Sequence, residues 1–309
     1  DTNSLTLERN QKPVPLSLTT LVAQLPATNS HQQSLLTELL ATISNSERLD
    51  ALRKARHSGD RRNLHGEALD SALHEGHPYH PCFKSRLGFQ GDDLVHYSPE
   101  TSTGFRLHWV AIPRHNLDSQ LPSSDMAFWQ SELGQEQAYL LRAAFHRAGV
   151  DWQQYGALPT HPWHWQKLSQ GPESARLEAL GIKCLGPLGD RYHPGQSLRS
   201  LFNASRPAKA CVKLPLGIHN TSSRRHLEPH SVPSAPVISR WLESIVAGDP
   251  LFDTNYPLRL LPEYASLGVA AREEQGANNS ELAGELAAIW RASIGSRLHE
   301  GEQAIPLNA

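Results

Sequence analysis

Two histidines, a lysine and an arginine crowd one short stretch, His77-Pro78-Tyr79-His80-Pro81-Cys82-Phe83-Lys84-Ser85-Arg86-Leu87-Gly88-Phe89. Each of these histidines precedes a proline, and a residue before proline is pushed away from helical geometry. The stretch therefore reads as a rigid loop presenting two imidazoles, an ammonium and a guanidinium, groups that suit a polyanion. A metal site built on His74, His77 and His80 beside Cys82 is the rival reading. Neither a Cys-x-x-Cys pair nor a His-Glu-x-x-His helix supports it. A second element, Thr160-His161-Pro162-Trp163-His164-Trp165-Gln166, repeats the His-Pro step among tryptophans. On its own it fits packed core as well as a site. The third element is the most informative. Between Asp190 and Glu228 there is no acidic residue, while Arg191, Arg199, Arg206, Lys209, Lys213, Arg224 and Arg225 all fall there. Two hydroxyl clusters, Ser197-Leu198-Arg199-Ser200 and Thr221-Ser222-Ser223-Arg224-Arg225, interleave with those cations. Forked guanidinium donors and short hydroxyl donors together suit phosphate or carboxylate oxygens.

Several chemistries are disfavoured. No Walker A motif and no Gly-x-Gly-x-x-Gly occurs, which argues against a P-loop or dinucleotide site. A single-stranded nucleic-acid surface would want aromatics among the cations, and only Tyr192 and Phe202 lie near. The formal net charge of −2 gives no global reason to expect nucleic acid or an anionic membrane as partner. No apolar run approaches the ~18 residues of a spanning helix, and no signal peptide is visible. Cys82, Cys184 and Cys211 are odd in number and far apart, which fits a reducing, cytoplasmic setting better than a disulfide framework.

The elements that must position these groups follow from hydrophobic periodicity. Residues 14 to 75 read as helical, with one apolar stripe from Leu16 to Leu25 and a second from Leu35 to Ile43 capped by Asn29-Ser30. Arg53 to Arg62 form a basic patch, read as a solvated face. Phe105 to Pro113 reads as a strand, 124 to 149 as a helix ended by Gly149, and 182–185 and 211–218 as short strands. Glu228 to Pro236 reads as a connection, followed by a helix through Val237, Ile238, Trp241, Leu242 and Ile245. A last helix is expected over about 280 to 298, through Leu282, Leu286, Ile289 and Trp290. The 309 residues suggest about two folded units at ~150 residues each, and 39% hydrophobic against 19% charged residues is globular. The fold class expected is α+β: a helical domain over 1–75, a mixed domain with an antiparallel sheet over 76–235, and a helical segment over 236–309.

Taken in order, the motifs resemble the siderophore synthetases that work without a peptide-synthetase template, the aerobactin-synthetase (IucA/IucC) family. The likeness rests on Gly76 to Gly88, on His161 to His164, on Ser197 to Ser200, and on Lys213-Leu214-Pro215-Leu216 with Thr221 and Arg225. Tyr97-Ser98-Pro99-Glu100 and Phe105 to Ile112 share the family texture. Each motif alone is weak, and four in order are specific. His164 stands where the family usually has Gln, and Ser200 replaces the usual Thr. The family's later Glu-x-His-x-Gln-Asn segment is not found, so the chain looks like the amino-terminal half of such an enzyme.

The resemblance implies an ATP-dependent ligase. A carboxylate of citrate or a citrate derivative would be adenylated with loss of pyrophosphate. An amine or hydroxyl would then attack and release AMP, forming a C–N or C–O bond. It further implies Ser197, Arg199 and Ser200 on the nucleotide phosphates and Lys213 near the α-phosphate. Thr221 and Arg225 would face the acid and the reacting phosphate, and His77, His80, Lys84 and His161 the carboxylate side, with Arg86 a possible structural partner. Mg2+ would accompany ATP on ligands mainly outside this chain, and a homodimer is expected. The rivals are a non-catalytic binder of citrate or a similar polyanion, and a metal-dependent hydrolase built on the His-Pro loops.

Overall fold

In the computed structural model, Phe105–Pro113 forms the strand that its β-branched and aromatic residues favour. The structure describes residues 7–9, 12–14, 16–56, 80–203, 205–206, 211–220, 223–252, 257–271, 273–274, 277–278 and 280–304. The chain opens with a hairpin of β1 (Leu7–Arg9) and β2 (Lys12–Val14). Helices α1 (Leu18–Val22) and α2 (Asn29–Arg56) follow, then the short α3 (Asp93–Tyr97). Strands β3 (Phe105–Pro113) and β4 (Leu117–Gln120) lead to helices α4 (Asp125–Leu133) and α5 (Gln135–Arg147). Next come β5 (Tyr155–Thr160), α6 (Pro162–Gln170), α7 (Ser174–Ala179), β6 (Lys183–Pro194) and β7 (Ser200–Asn203). The cation-rich stretch continues through β8 (Cys211–Lys213), β9 (Leu216–Asn220) and β10 (Ser223–Arg225). The remainder holds α8 (Ser231–Gly248), β11 (Glu263–Val269), β12 (Glu273–Glu274), β13 (Ala277–Asn278), α9 (Ser280–Glu285) and β14 (Ala287–Arg291).

Eight strands form one antiparallel sheet in the order β4-β11-β14-β8-β7-β6-β3-β5. The fold is α+β, as expected. Its core joins sheet and helices through aromatics. Trp129 of α4 meets Trp109 of β3 edge-on at 5.1 Å, and Phe128 meets Trp290 of β14 at 5.2 Å. All four are at most 2% exposed. Among the described residues no helix is long and apolar enough to cross a membrane.

Several sequence expectations are corrected. The region 14–75 is not helical from its start, since Val14 ends β2 and a break at 23–28 separates α1 from α2. Thr28, one residue before the expected cap, accepts from the His31 N–H at 3.4 Å. The basic patch and residues 57–79 lie outside the described residues or their described side chains. The helix expected over 124–149 divides at Gly134, whose φ of +81° suits glycine. The connection expected up to Pro236 becomes helical from Ser231. Pro233 falls in the first turn, where an N–H has no intrahelical acceptor, so only Pro236 forfeits a bond. The helix expected over 280–298 ends at Glu285, and Ala287–Arg291 is a strand instead. Leu286 to Trp290 is a continuous apolar run, and burial on both faces of an inner strand suits it better than an amphipathic helix. The segment 236–309 is thus not simply helical, because β11 and β14 are inner strands of the same sheet as β3 and β6. The helix expected through Val237, Ile238, Trp241, Leu242 and Ile245 is present as part of α8, and those five side chains are exposed.

Candidate functional site

Residues from three separated parts of the chain line one narrow recess: Phe83, Ser85 and Arg86, then Gln196, Ser197 and Leu198, then Ile218 and Arg225. The first part is the loop after His80. It turns on the hydrogen bonds Phe83 N–H to His80 C=O (3.0 Å) and Ser85 N–H to Cys82 C=O (3.0 Å). Asn45 of α2 braces it, its amide donating to the carbonyls of Lys84 (2.8 Å) and Ser85 (2.9 Å). Arg86 forks onto Glu100 at 2.9 and 3.0 Å and also donates to Ser98 Oγ at 2.6 Å. Lys84 Nζ lies 3.7 Å from the same carboxylate. All three charged side chains are buried, so geometry this complete is what makes their desolvation tolerable.

The second part is the turn between β6 and β7. Gly195 N–H donates to Ser200 C=O at 2.8 Å, and Ser197 Oγ accepts from Ser200 N–H at 3.1 Å. Leu198 packs with Trp163, Leu216 and Ile218. Among the described residues only two non-glycines have positive φ, Arg86 at 43° and Leu198 at 65°, and both line the recess. Such backbone costs of order 1–3 kcal/mol per residue and clusters at functional sites.

Arg225 of the third part brings charge to the recess, and Arg199 and Lys213 of the same cation-rich stretch lie outside its lining. Arg199 Nη1 donates to the His226 carbonyl at 2.7 Å. Burial, and then the nearby Arg225 charge, push the Arg199 guanidinium below its ordinary value, and burial does the same to Arg225. No carboxylate pairs with either among the described residues. Lys213 stands across from Ser200 in the β7–β8 register, and its Nζ is 3.5 Å from Glu263 of β11. Two like charges held close and half-buried, with no carboxylate of their own, make a site that favours an anion.

Not every predicted residue converges here. His77 and Thr221 lie outside the described residues. His80 sits at the start of the loop, and Lys84 faces Glu100, neither lining the recess. His161 is 1% exposed and wedged edge-on between Tyr97 (4.9 Å) and Phe105 (4.8 Å). Burial, and then His164 nearby, hold its pKa well below the usual histidine value, so the ring is neutral. Neither of its nitrogens has a hydrogen-bond partner among the described residues. His164 is a tie: its Nδ1 accepts from Gly217 N–H (3.1 Å), and its Nε2 lies 3.0 Å from both the carbonyl and a carboxylate oxygen of Glu285. It thereby fixes β9 against α6 and α9. Cys82 is buried with its thiol pushed up to about 11 by burial and by Glu38, a protonated state unlike that of a metal ligand. Ser85, Gln196 and Glu263 were not singled out from sequence. Ser85 hides between Lys84 and Arg86, and Glu263 arrives from far along the chain.

A larger cavity of about 250 Å3 lies between α6, the Gly88–Gln90 loop and Gly217. Gly217 and Ile218 are successive residues of β9 and therefore face opposite sides of it. Of the predicted site residues Ser197 and Arg225 line the smaller recess, beside Arg86, and this recess is the candidate site. No carboxylate lines it, so its lining does not fit Mg2+.

Comparison with known proteins gives four concordant likenesses. Residues 66–309 match the model of the IucA / IucC family. The chain is 34% identical over 269 residues to the citryl-spermidine/3,4-dihydroxybenzoyl-citryl-spermidine:spermidine ligase of Bacillus anthracis, covering 86% of this chain and 42% of that one. It is 32% identical over 250 residues to the aerobactin synthase of Escherichia coli, covering 76% and 41%. The crystal structure of the petrobactin biosynthesis protein AsbB from Bacillus anthracis str. Sterne superposes with a TM-score of 0.80 at 29% identity, over 96% of this chain and 48% of that one. The chain thus spans a little under half the length of these relatives.

Proposed function

The chain belongs to the IucA / IucC family, and from that premise we propose that its recess is the anion-binding site of an ATP-dependent siderophore synthetase. The reaction joins a carboxylate of citrate or a citrate derivative to an amine or hydroxyl, with ATP supplying the adenylyl group that activates the acid. The observation that carries this reading is the pair Arg199 and Arg225, two partly buried cations that act on one another with no carboxylate paired to either among the described residues, Arg225 lining the recess itself. A polycarboxylate and a triphosphate repel each other, and preorganised cations and hydroxyls are what can hold both. Ser197, Arg199 and Ser200 take the phosphates, and Lys213 waits near the α-phosphate, steadied by Glu263. Arg225 faces the acid and the reacting phosphate, with Thr221 beside it in sequence. His77 and His80 border the carboxylate side. Lys84 and His161 act from behind, Lys84 on Glu100 and His161 in its aromatic wedge. Mg2+ would need ligands other than the residues of the recess, and no step is assigned to it. The three separated, free cysteines fit a cytoplasmic setting.

Calorimetric titration of the chain with ATP and with citrate tests the reading, using Arg225→Ala beside the wild type. Loss of a hydrogen bond between charged groups costs about 1.5–3 kcal/mol, a roughly 10- to 100-fold weaker affinity. Arg225→Ala that binds both ligands like the wild type removes the residue from the site. Citrate binding that ATP never influences favours the simple polyanion binder instead.

A further inference from the structure

Ser85 lines the recess beside Arg86, Ser197 and Arg225, yet no described residue uses its hydroxyl. The residue is 2% exposed, and its Oγ has no hydrogen-bond partner among the described residues. Its backbone, by contrast, is engaged at both ends: the N–H donates to Cys82 and the carbonyl accepts from Asn45. The adjoining Arg86 also has its Nε without a partner among the described residues, while its other two nitrogens donate to Glu100 and Ser98. Buried donors are nearly always satisfied, so two orphans on one small wall call for an acceptor. The space they line is about 10 Å3, room for a single oxygen-sized group.

We propose that Ser85 is a ligand-binding residue, donating its hydroxyl to one anionic oxygen of the phosphate or carboxylate that Arg225 holds. This rests on the reading of the recess given above. The residue sits between Lys84 and Arg86, and the family likeness over Gly76 to Gly88 assigns it no role. The strained φ of Arg86 has a use in this arrangement: it carries the chain past Ser85 while Glu100 grips the guanidinium.

The test compares wild type and Ser85→Ala by calorimetry with ATP, with pyrophosphate and with citrate, and by thermal unfolding without ligand. A lost hydrogen bond to a charged oxygen should weaken binding about 10- to 100-fold. Weakening for ATP and pyrophosphate assigns a phosphate oxygen, and weakening for citrate alone assigns a carboxylate. The Tm of the free protein should be unchanged or higher, because alanine removes a buried hydroxyl with no partner. Unchanged affinity for all three ligands overturns the proposal. A lower Tm with unchanged affinity also overturns it, since the hydroxyl then serves the fold through a buried water. If the wild type binds none of the three, the reading of the recess fails, and the role of Ser85 with it.

Discussion

Burial alone would raise the Glu100 carboxyl, but the Arg86 guanidinium, its hydrogen bonds and Lys84 outweigh that and hold it below the usual carboxylate range. One buried carboxylate thus answers two buried cations. Glu100→Gln would leave both cations without a counter-charge, and breaking such a pair costs about 3–5 kcal/mol. Urea unfolding should report a loss of that size, and a change under 1 kcal/mol would mean the cluster is wet. At this scale the sequence was readable where chemistry dictates residue type. Arg86, read as a possible structural partner, is one through its grip on Glu100. Arg225 and Ser197 were singled out by the family motif and do line the recess. Ser85 was not, because an isolated serine carries no signal until the groups around its hydroxyl are known.

Elements were legible where one force dominates. Phe105–Pro113 is a strand by both propensity and burial, and the structure has it residue for residue. Two stretches misled for opposite reasons. Leu282, Leu286, Ile289 and Trp290 have helical spacing, yet the last two belong to an inner strand. Val237, Ile238, Trp241, Leu242 and Ile245 form a helix as read, but the stripe points outward, where a face that apolar would ordinarily mark a contact surface. Two tryptophans separate these cases. Trp290 is 2% exposed and touches Phe128 and Trp129, so Trp290→Ala should cost about 3–5 kcal/mol. Trp241 is 60% exposed, and Trp241→Ala should stay within about 0.5 kcal/mol. Thermal or denaturant unfolding of the two variants decides it, and equal losses would contradict the β14 assignment.

For the whole molecule, a net charge of −2 conceals a strong segregation of charge. The cations of 191–225 are partly answered from outside that stretch, Arg206 by Asp190 and Lys213 by Glu263. Arg199 and Arg225 have no paired carboxylate among the described residues, and Arg225 lines the recess. The sheet is built from both sides of residue 235, which the sequence does not reveal because long-range strand order leaves no local trace in it. That shared sheet makes stability a property of the whole, and buried ionisable groups set its acid limit. His161 is neutral in the fold, with its pKa held well below 6.5 by burial and by His164. Below pH 6.5 the unfolded chain therefore binds a proton that the folded chain refuses, so stability falls as pH falls through that window. Each such histidine contributes up to about 1.4 kcal/mol per pH unit there. Glu100 acts lower: its depressed pKa adds stability above the ordinary carboxylate range that is lost only as pH drops through the folded value. Unfolding free energies of wild type and His161→Leu at pH 7.5, 6.5, 5.5 and 5.0 isolate the first effect, because other groups cancel in the difference. The wild type should lose stability faster than the variant between about pH 6.5 and 5, by close to one proton's worth of slope. Parallel curves would mean that His161 takes up a proton in the folded state, and the aromatic wedge around it would then have to admit water.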